Sequence, residues 1–256
     1  MSDPYHGLSL SDWHHRYLHQ ARWTSEIRQH LFARVGASST DKILEIGSGT
    51  GAILEQLALE GFHRLTGIDI DRTALSFTKQ KKQGFKLVQS DGRQLPYATD
   101  TFKISLCHYL LLWVQTPTQI LSEMRRVTRS GGCLIALAEP DHQSRIDYPP
   151  PLEQLGRLQT QALQLQGADT AMGRKIQSLF TRAGLKRVET GILGGQWAAD
   201  HLNRLDETEW MALRADLSHQ LSEDALSQYK KADQQARNAG HRILFIPTFY
   251  AIGVVP

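Results

Sequence analysis

Three acidic residues stand at or next to the ends of short apolar runs. They are Glu45, Asp69 and Asp91. If these runs form neighbouring parallel strands, their carboxyl ends meet at one edge of a sheet, and the three carboxylates line one crevice. A carboxylate there can pair with a cation or accept hydrogen bonds from hydroxyl and amino groups. Three acids in register therefore predict a binding site rather than three separate turns.

A glycine-rich turn, GSGTG, occupies Gly47 to Gly51. Glycines allow the backbone to turn tightly and a ligand to approach it closely. With Ala52 the turn also satisfies the dinucleotide fingerprint G-x-G-x-x-G/A. A dinucleotide, however, would bring its pyrophosphate to the start of the next helix, where the carboxylate of Glu45 would repel it. Glu45 favours a ligand with a cation at this point, such as the ammonium of a methionine moiety.

The other two acids suit a nucleoside. Asp69 occupies the position of a ribose-binding acid in either interpretation of the glycine turn. Asp91 can accept a hydrogen bond from an adenine amino group, and the backbone N–H of Gly92 can donate to a ring nitrogen.

The elements that must position these residues alternate along the chain. Apolar runs that predict strands alternate with helical stretches from Asp41 onward. This alternation predicts right-handed crossovers and an α/β fold with a mostly parallel, doubly wound sheet. We expect seven strands, at Lys42–Ile46, Leu65–Ile70, Phe85–Gln89, Phe102–Cys107, Cys133–Ala138, Lys186–Gly191 and Ile243–Tyr250.

Helical segments account for the rest of the chain. Residues 1–40 predict an N-terminal helical cap, whose first helix Ser9 and Asp12 can cap, and residues 193–240 predict a helical insert between the last two strands. Residues 141–170 predict a further helical addition. With a core of residues 41–192 plus 241–256, we expect a single domain whose additions determine the choice of substrate.

Composition excludes several classes of protein. The chain has 256 residues and a formal net charge of +3, which gives no case for a dedicated nucleic-acid or membrane surface. Its two cysteines, Cys107 and Cys133, lie far apart in apolar runs, as expected of reduced thiols rather than a disulfide or zinc site. The apolar runs are too short to span a bilayer, and the N-terminus lacks a signal-peptide pattern. We therefore expect a cytoplasmic protein.

The chain resembles a class I S-adenosylmethionine-dependent methyltransferase in ILEIGSGTG, LTGIDI, SDGRQLPYATDTF, EMRRVTRSGGCLIALAEPD and the closing ILFIPTFYAIG. More narrowly, it resembles the small-molecule branch related to quinone- and sterol-type methyltransferases. The resemblance is strongest from Lys42 to Glu139 and weaker over the last two strands. It implies a Rossmann-like methyltransferase fold with helical cap additions and S-adenosyl-L-methionine as cofactor. The implied reaction is in-line methyl transfer to a small, partly apolar metabolite, giving S-adenosylhomocysteine.

The resemblance also implies which residues contact the cofactor. Glu45 and the glycine turn would face its methionine part. The contacts from the turn would come from Gly47, Ser48, Gly49 and Gly51.

The remaining contacts implied by the resemblance lie at the following strand ends. Asp69 would hold the ribose hydroxyls, and Ile70 would pack on the adenine. Asp91 and Gly92 would read the adenine edge, and Cys107 would contact the methionine end.

The N-terminal helix supplies one more implied contact. Arg22, or alternatively Tyr17, would meet the cofactor carboxylate. The chain departs from the family at Lys103, where an acid usually follows the phenylalanine of the fourth strand. It also has no Asn/Asp-Pro-Pro-aromatic tetrapeptide at the end of that strand, which argues against methylation of an amide, adenine or guanine amino group.

Histidines are the candidates for acid–base and metal chemistry. His108 is the best general-base candidate, since it follows the fourth strand and an unperturbed imidazole titrates near neutrality. Alternatively, it hydrogen-bonds the cofactor or a neighbouring helix. His142 is a weaker candidate for the same role. His15 and His19 have the i, i+4 spacing of metal ligands, but no third ligand is evident and we expect no metal.

Other functions remain open at this point. An RNA or protein methyltransferase would share the cofactor residues but should present a basic or peptide-shaped groove. An NAD(P)-dependent oxidoreductase would share the glycine turn but leave Glu45 and Asp91 unexplained, and a non-catalytic cofactor-binding domain is a third alternative. We expect a small-molecule substrate, no nucleic acid, no membrane span, and a monomer or homodimer.

Overall fold

The computed structural model describes residues 8–81, 84–194 and 207–256. The strands, in chain order, are β1 Ile43–Ile46, β2 Leu65–Asp69, β3 Lys86–Gln89, β4 Phe102–Cys107, β5 Thr128–Pro140, β6 Ile146–Tyr148, β7 Lys186–Ile192, β8 Ile243–Phe245 and β9 Thr248–Val254. The helices are α1 Leu10–Trp23, α2 Ser25–Arg34, α3 Ala52–Leu59, α4 Arg72–Gln80, α5 Pro117–Val127, α6 Pro150–Leu165, α7 Met172–Arg182, α8 Glu207–Leu217 and α9 Glu223–Asn238. Two short 3₁₀ turns lie at Leu111–Trp113 and His142–Ser144.

Seven strands of the described residues form the main sheet, in the order β3-β2-β1-β4-β5-β9-β7. Neighbours from β3 to β5 pair in parallel, and β9 runs antiparallel to both β5 and β7. Ile46 is in register with Ile68 and with Cys107, so the ends of β1, β2 and β4 meet at one edge. The predicted doubly wound, mostly parallel sheet is confirmed.

The bounds predicted for the last strand are wrong. Ile243–Phe245 pairs with β6 in a separate two-stranded sheet, and only Thr248–Val254 enters the main sheet. Pro247 stands between the two strands; a proline has no N–H for a ladder hydrogen bond, so one continuous strand ends there. The three-residue β6 lies in a segment predicted to be helical, because a run of three residues is too short to show strand periodicity.

Alternating strand residues divide the core between the two faces of the sheet. Leu44, Leu134 and Ala136 belong to a buried cluster with α5 and α7, whereas Ile43 and Ile135 belong to a cluster with α2 and α3. A third cluster joins the helical additions α6, α8 and α9 to one another. The additions thus have an apolar core of their own, apart from the sheet.

The N-terminal helix begins at the predicted cap. Ser9 Oγ accepts from the backbone N–H of Asp12 at 3.1 Å, and the Asp12 carboxylate accepts from the backbone N–H of Ser9 at 3.1 Å. These bonds satisfy backbone donors that the first helical turn leaves open. From this start α1 packs against α3 and α8, which places it beside the glycine turn.

The predicted helical insert, residues 193–240, contains α8 and α9. Residues 195–206 of that insert lie outside the described residues. Within residues 8–81, 84–194 and 207–256, no helix combines the length and the apolar character needed to cross a membrane.

Candidate functional site

The glycine turn joins β1 to α3 in a conformation that favours glycine. Gly47, Gly49 and Gly51 have φ values of +71°, +49° and +77°. A Cβ at Gly47 would lie 2.7 Å from Leu110 Cδ1, and one at Gly51 would lie 2.5 Å from Thr78 Cγ2. Any side chain at Gly47 or Gly51 would therefore meet both backbone strain and a packed neighbour.

Glu45 is buried beneath this turn with one oxygen lacking a partner. Its side chain is 2% exposed, and its Oε2 has no hydrogen-bond partner among the described residues, as is also true of Ser48 Oγ. Burial, and then the charge of Asp69, raises the pKa of Glu45 well above its usual value, against the opposing charge of Arg28. A buried carboxylate without a partner is costly, and a bound cation would supply that partner.

Asp69 ends β2 beside the turn. One carboxylate oxygen accepts from the N–H of Gly49 at 2.6 Å, and the other accepts from the N–H of Asp71 at 2.9 Å. These bonds fix the side chain while each oxygen can still accept from a hydroxyl. Burial raises the pKa of Asp69. The following Ile70 is 68% exposed, an open apolar surface beside the acid.

Asp91 lies at the end of β3, partly exposed. Arg93 Nη2 donates to Asp91 Oδ2 at 2.6 Å, and this hydrogen bond holds the pKa of Asp91 below its usual value. Gly92 is needed for packing, because a Cβ there would lie 2.8 Å from Ile120 Cδ1. The pairing with Arg93 was missed, although an arginine two residues after an acid is a visible signal. An adenine amino group would share this carboxylate with Arg93.

The residues after β4 are placed differently from the expectation. The Cys107 side chain is fully buried in the apolar core, so a contact with the cofactor would have to come from its backbone. His108 Nε2 lies 3.2 Å from Thr24 Oγ1, between α1 and α2. Burial, and then Arg28, lowers the pKa of His108 to about 3. His108 as general base stays a prediction, and the contact with Thr24 is the alternative hydrogen bond to a helix.

Tyr109, next to His108, has an unusual backbone conformation that sequence reasoning missed. It has a φ of +51°, which is unusual for a residue with a bulky side chain. Its N–H donates to Ala138 at 3.0 Å, and its ring stands edge-on to that of His108 with centroids 4.8 Å apart. Burial raises the pKa of its hydroxyl. Strained backbone of this kind clusters at functional sites.

Glu139 holds the turn that follows Tyr109. Its carboxylate is fully buried and accepts from the backbone N–H groups of Leu110, Leu111 and Leu112 at 3.1, 2.9 and 3.1 Å. Burial outweighs these donors and raises the pKa of Glu139 to about 7. Since Leu110 packs against Gly47, Glu139 connects the end of β5 to the glycine turn.

The N-terminal helix presents Tyr17 and Arg16 to the site rather than Arg22. Burial raises the pKa of Tyr17, and the nearby charge of Asp69 acts in the same direction. Arg22 is exposed. It lies five residues after Tyr17, which is about 140° around the helix at 3.6 residues per turn. Arg16 stacks on Trp13, 5.2 Å from the ring centroid, and its charge reaches Tyr109.

His142 borders a cavity of about 470 Å³ next to the end of β5. Burial, then Arg145 and Arg16, lowers the pKa of His142 to about 4. Its Nδ1 has no hydrogen-bond partner among the described residues. The lining mixes both charges with neutral polar groups and includes Arg145, Asp147, Glu153, Thr160 and Gln161.

In the part of the chain that the structure describes, no three His, Cys, Asp or Glu side chains come together as a metal ion would require. The edge instead offers a partly unsatisfied buried acid, a fixed acid beside an open apolar residue, and a glycine turn. These residues fit a nucleoside cofactor with a cationic amino-acid part.

Comparison with known proteins agrees with this fit. Residues 44–136 match a family model described as "Methyltransferase domain". The chain is 24% identical over 196 residues to a demethylmenaquinone methyltransferase of Lysinibacillus sphaericus, covering 70% of this chain and 83% of that protein. It is 30% identical over 132 residues to a ubiquinone/menaquinone biosynthesis C-methyltransferase, UbiE, of Desulfotalea psychrophila, covering 50% of this chain and 52% of that protein.

A solved structure shares the whole fold. The chain aligns with one chain of the complex between the Haloferax volcanii Trm112 methyltransferase activator and a methyltransferase. The TM-score is 0.61 and the identity 16%, over 100% of this chain and 99% of that one. At this identity the likeness supports the fold.

Proposed function

We propose that the chain is a class I S-adenosylmethionine-dependent methyltransferase similar to the quinone-type enzymes, and that it methylates a small, partly apolar metabolite. The observation that carries this proposal is the combination, at one sheet edge, of the unpartnered Glu45 Oε2, the glycine turn and the fixed Asp69. A cavity of about 470 Å³ lies after the end of β5 and is lined by His142 and by residues of β6 and α6. Its volume lies in the range of small-molecule sites, about 300–1,000 Å³. The name of the first relative refers to demethylmenaquinone and that of the second to ubiquinone/menaquinone biosynthesis, which supports a quinone-type acceptor.

The residues of the sheet edge divide the task of binding the cofactor. S-adenosylmethionine brings a methyl group that is already activated by its sulfonium. Glu45 would pair with the cationic methionine part through its unpartnered Oε2, Asp69 would hold the ribose, and Ile70 would cover the adenine. Asp91 and Gly92 would contact the adenine edge, and Arg16 or Tyr17 would face the carboxylate.

Removal of a proton is needed only if the acceptor carries one on the attacked atom. His108 and His142 are both neutral at pH 7, because burial lowers the pKa of the first to about 3 and of the second to about 4. His108 Nε2 already faces Thr24, whereas His142 Nδ1 has no partner among the described residues. His108 is proposed as the base on its position after β4 alone, and His142 as the residue whose unpartnered Nδ1 orients the acceptor.

The helical additions complete the proposal. We propose that residues 1–40 and 193–240 cover the sheet edge as parts of a single domain and determine the substrate. The protein would act in the cytoplasm as a monomer or homodimer, without nucleic acid. An RNA or protein acceptor is the alternative; the family match argues against an NAD(P)-dependent oxidoreductase.

An acceptor screen tests the proposed substrate class. The protein is incubated with S-adenosylmethionine and separate pools of demethylated quinones, amines, RNA and peptides, and products one methyl group heavier are identified by mass spectrometry. We expect turnover in the quinone-type pool. Turnover confined to RNA or peptides would replace the proposed substrate class, and the absence of any S-adenosylhomocysteine formation would favour a non-catalytic protein.

A further inference from the structure

One imidazole of the histidine-rich N-terminal helix is buried against the glycine turn. His14 is 4% exposed, whereas His15 and His19 of the same helix are exposed. His14 Nδ1 lies 2.9 Å from Oγ1 of Thr50, a residue of the glycine turn. The His14 ring also packs on Phe77 of α4, with centroids 5.5 Å apart. His14 thus connects three parts of the molecule: α1, the turn and α4.

The contacts of Nε2 fix the tautomer of His14. Nε2 contacts the Lys81 ammonium and lies 3.4 Å from Glu55 Oε2. An ammonium can only donate, so Nε2 accepts, and the ring hydrogen on Nδ1 is donated to Thr50 Oγ1. Burial, and then the Lys81 charge, lowers the pKa of His14 to about 4. The imidazole is therefore neutral at pH 7, and its contact with Glu55 is not an ion pair.

The glycine turn is held from a second side by α4. Thr78 Oγ1 lies 3.3 Å from the carbonyl oxygen of Gly49 and 3.1 Å from that of Ala74, so the two oxygens share its one hydrogen. The Thr78 methyl group fills the space beside Gly51. His14 supplies the corresponding bond from α1, through the buried Thr50. The turn therefore lies between two helices, and a polar side chain from each contacts it.

The same helix, α1, places Tyr17 near Asp69, the acid proposed to hold the ribose. Tyr17 follows His14 by three residues, so both side chains lie on one face of α1. The nearby charge of Asp69 adds to the effect of burial in raising the pKa of Tyr17. A shift of α1 on the sheet would therefore move His14 away from Thr50 and Tyr17 away from Asp69 at the same time.

We propose that His14 is a positioning residue for the cofactor site: its bond to Thr50 holds α1 and the glycine turn in the conformation that binds S-adenosylmethionine. His14 acts through Thr50 and Tyr17 and need not touch the cofactor. The proposal concerns cofactor binding and is independent of the acceptor. It can therefore be tested with S-adenosylhomocysteine alone.

Three substitutions at His14 separate its contacts. His14→Phe keeps a ring against Phe77 but removes both hydrogen bonds; His14→Asn places an N–H near the position of Nδ1; His14→Gln reaches the position of Nε2. Calorimetric titration gives the Kd for S-adenosylhomocysteine, and the melting temperature without ligand reports on folding. We expect the Kd to rise about tenfold in the Phe and Gln variants, as for one lost buried hydrogen bond, and to return to within about twofold in the Asn variant.

Thr50 provides the independent partner test. Thr50→Val is isosteric and should raise the Kd as His14→Phe does, whereas Thr50→Ser should not. The double variant His14→Phe/Thr50→Val should bind no more weakly than either single variant, because both remove the same bond. His15→Phe, a matched change of an exposed imidazole on the same helix, should leave the Kd unchanged.

Several results would overturn the proposal. One is an unchanged Kd in the His14→Phe and Thr50→Val variants. Another is recovery by Gln but not by Asn, which would assign His14 to anchoring α3 and α4. A Kd that only follows the melting temperature across all variants would show a purely structural role. If the unaltered protein did not bind S-adenosylhomocysteine, the cofactor assignment itself would fail, a result distinct from these.

Discussion

At the residue scale, two acids that both lie at strand ends, Glu45 and Asp69, differ in their hydrogen bonding. Glu45 is enclosed with one oxygen unpartnered among the described residues, and its pKa is raised well above its usual value by burial. Asp69 is fixed by two backbone N–H groups. The first acid is poised for a ligand cation, and the second is oriented before any ligand arrives.

Substitution of Glu45 tests this contrast. Glu45→Gln removes the charge that would pair with the cationic methionine part, so we expect S-adenosylhomocysteine to bind about 10- to 100-fold more weakly, the effect of losing a charged hydrogen-bond partner. The melting temperature without ligand should not fall, because the variant also removes a poorly solvated carboxylate. Calorimetry and thermal melting measure the two quantities, with the exposed Glu26→Gln as control. Unchanged affinity would contradict the role of Glu45.

Tyr109 offers a second test at this scale, by comparison of two truncations. At its φ of +51° a Cβ is strained and a glycine is not. Tyr109→Ala and Tyr109→Gly lose the same ring, yet the Gly variant should be more stable by about 1 kcal/mol. Both should lose methyl transfer if the ring borders the acceptor. Urea denaturation measures the difference; an Ala variant at least as stable as the Gly variant would show that Tyr109 is unstrained.

At the element scale, the turn after β4 is ordered by a carboxylate from the neighbouring strand β5. The three N–H groups of Leu110 to Leu112 converge on Glu139, and Leu110 in turn packs on Gly47. Two strand ends and the glycine turn are therefore coupled through one buried side chain.

This coupling predicts a dependence of stability on pH. Because the pKa of Glu139 is raised from 4.5 to about 7 in the folded protein, its contribution is fully present below pH 4.5 and is lost as the pH rises through 7. Relative to the non-titrating Glu139→Gln variant, the wild-type protein should lose up to about 3 kcal/mol between pH 4.5 and 8. Urea denaturation of both proteins at several pH values measures this difference, and a constant difference would contradict it.

At the scale of the whole molecule, buried neutral histidines make stability fall as the pH falls, whereas Glu139 makes it fall as the pH rises. The pKa values of His14, His108 and His142 are lowered from 6.5 to about 4, 3 and 4. The unfolded chain therefore takes up protons first, and stability is lost as the pH falls below 6.5.

His108→Asn tests this acid sensitivity. Between pH 6.5 and 5 the variant should lose about 2 kcal/mol less stability than the wild-type protein, because it removes one histidine that must stay neutral. The exposed His15→Asn serves as the control and should change nothing. Equal pH dependence in wild type and His108→Asn would show that His108 is accessible to protons.

The sheet was predictable because it depends on local patterns, and the same patterns reveal where the candidate site residues lie. The glycine turn, Glu45 and Asp69 lie at strand ends that the alternation of apolar runs reveals. What was missed depends on contacts between distant segments: His14 with Thr50, and Glu139 with Leu110. No sequence spacing encodes such pairs.

The most direct test of the central claim is calorimetric titration of the protein with S-adenosylhomocysteine, and with NAD as comparison ligand. The claim is that the edge formed by Glu45, the glycine turn and Asp69 binds the methyl-donor cofactor. It predicts one S-adenosylhomocysteine bound per chain, marked weakening by Asp69→Asn, which leaves only one oxygen to accept from the ribose, and no heat from NAD. Binding of NAD but not of S-adenosylhomocysteine, or S-adenosylhomocysteine binding that is unaffected by Asp69→Asn, would contradict it.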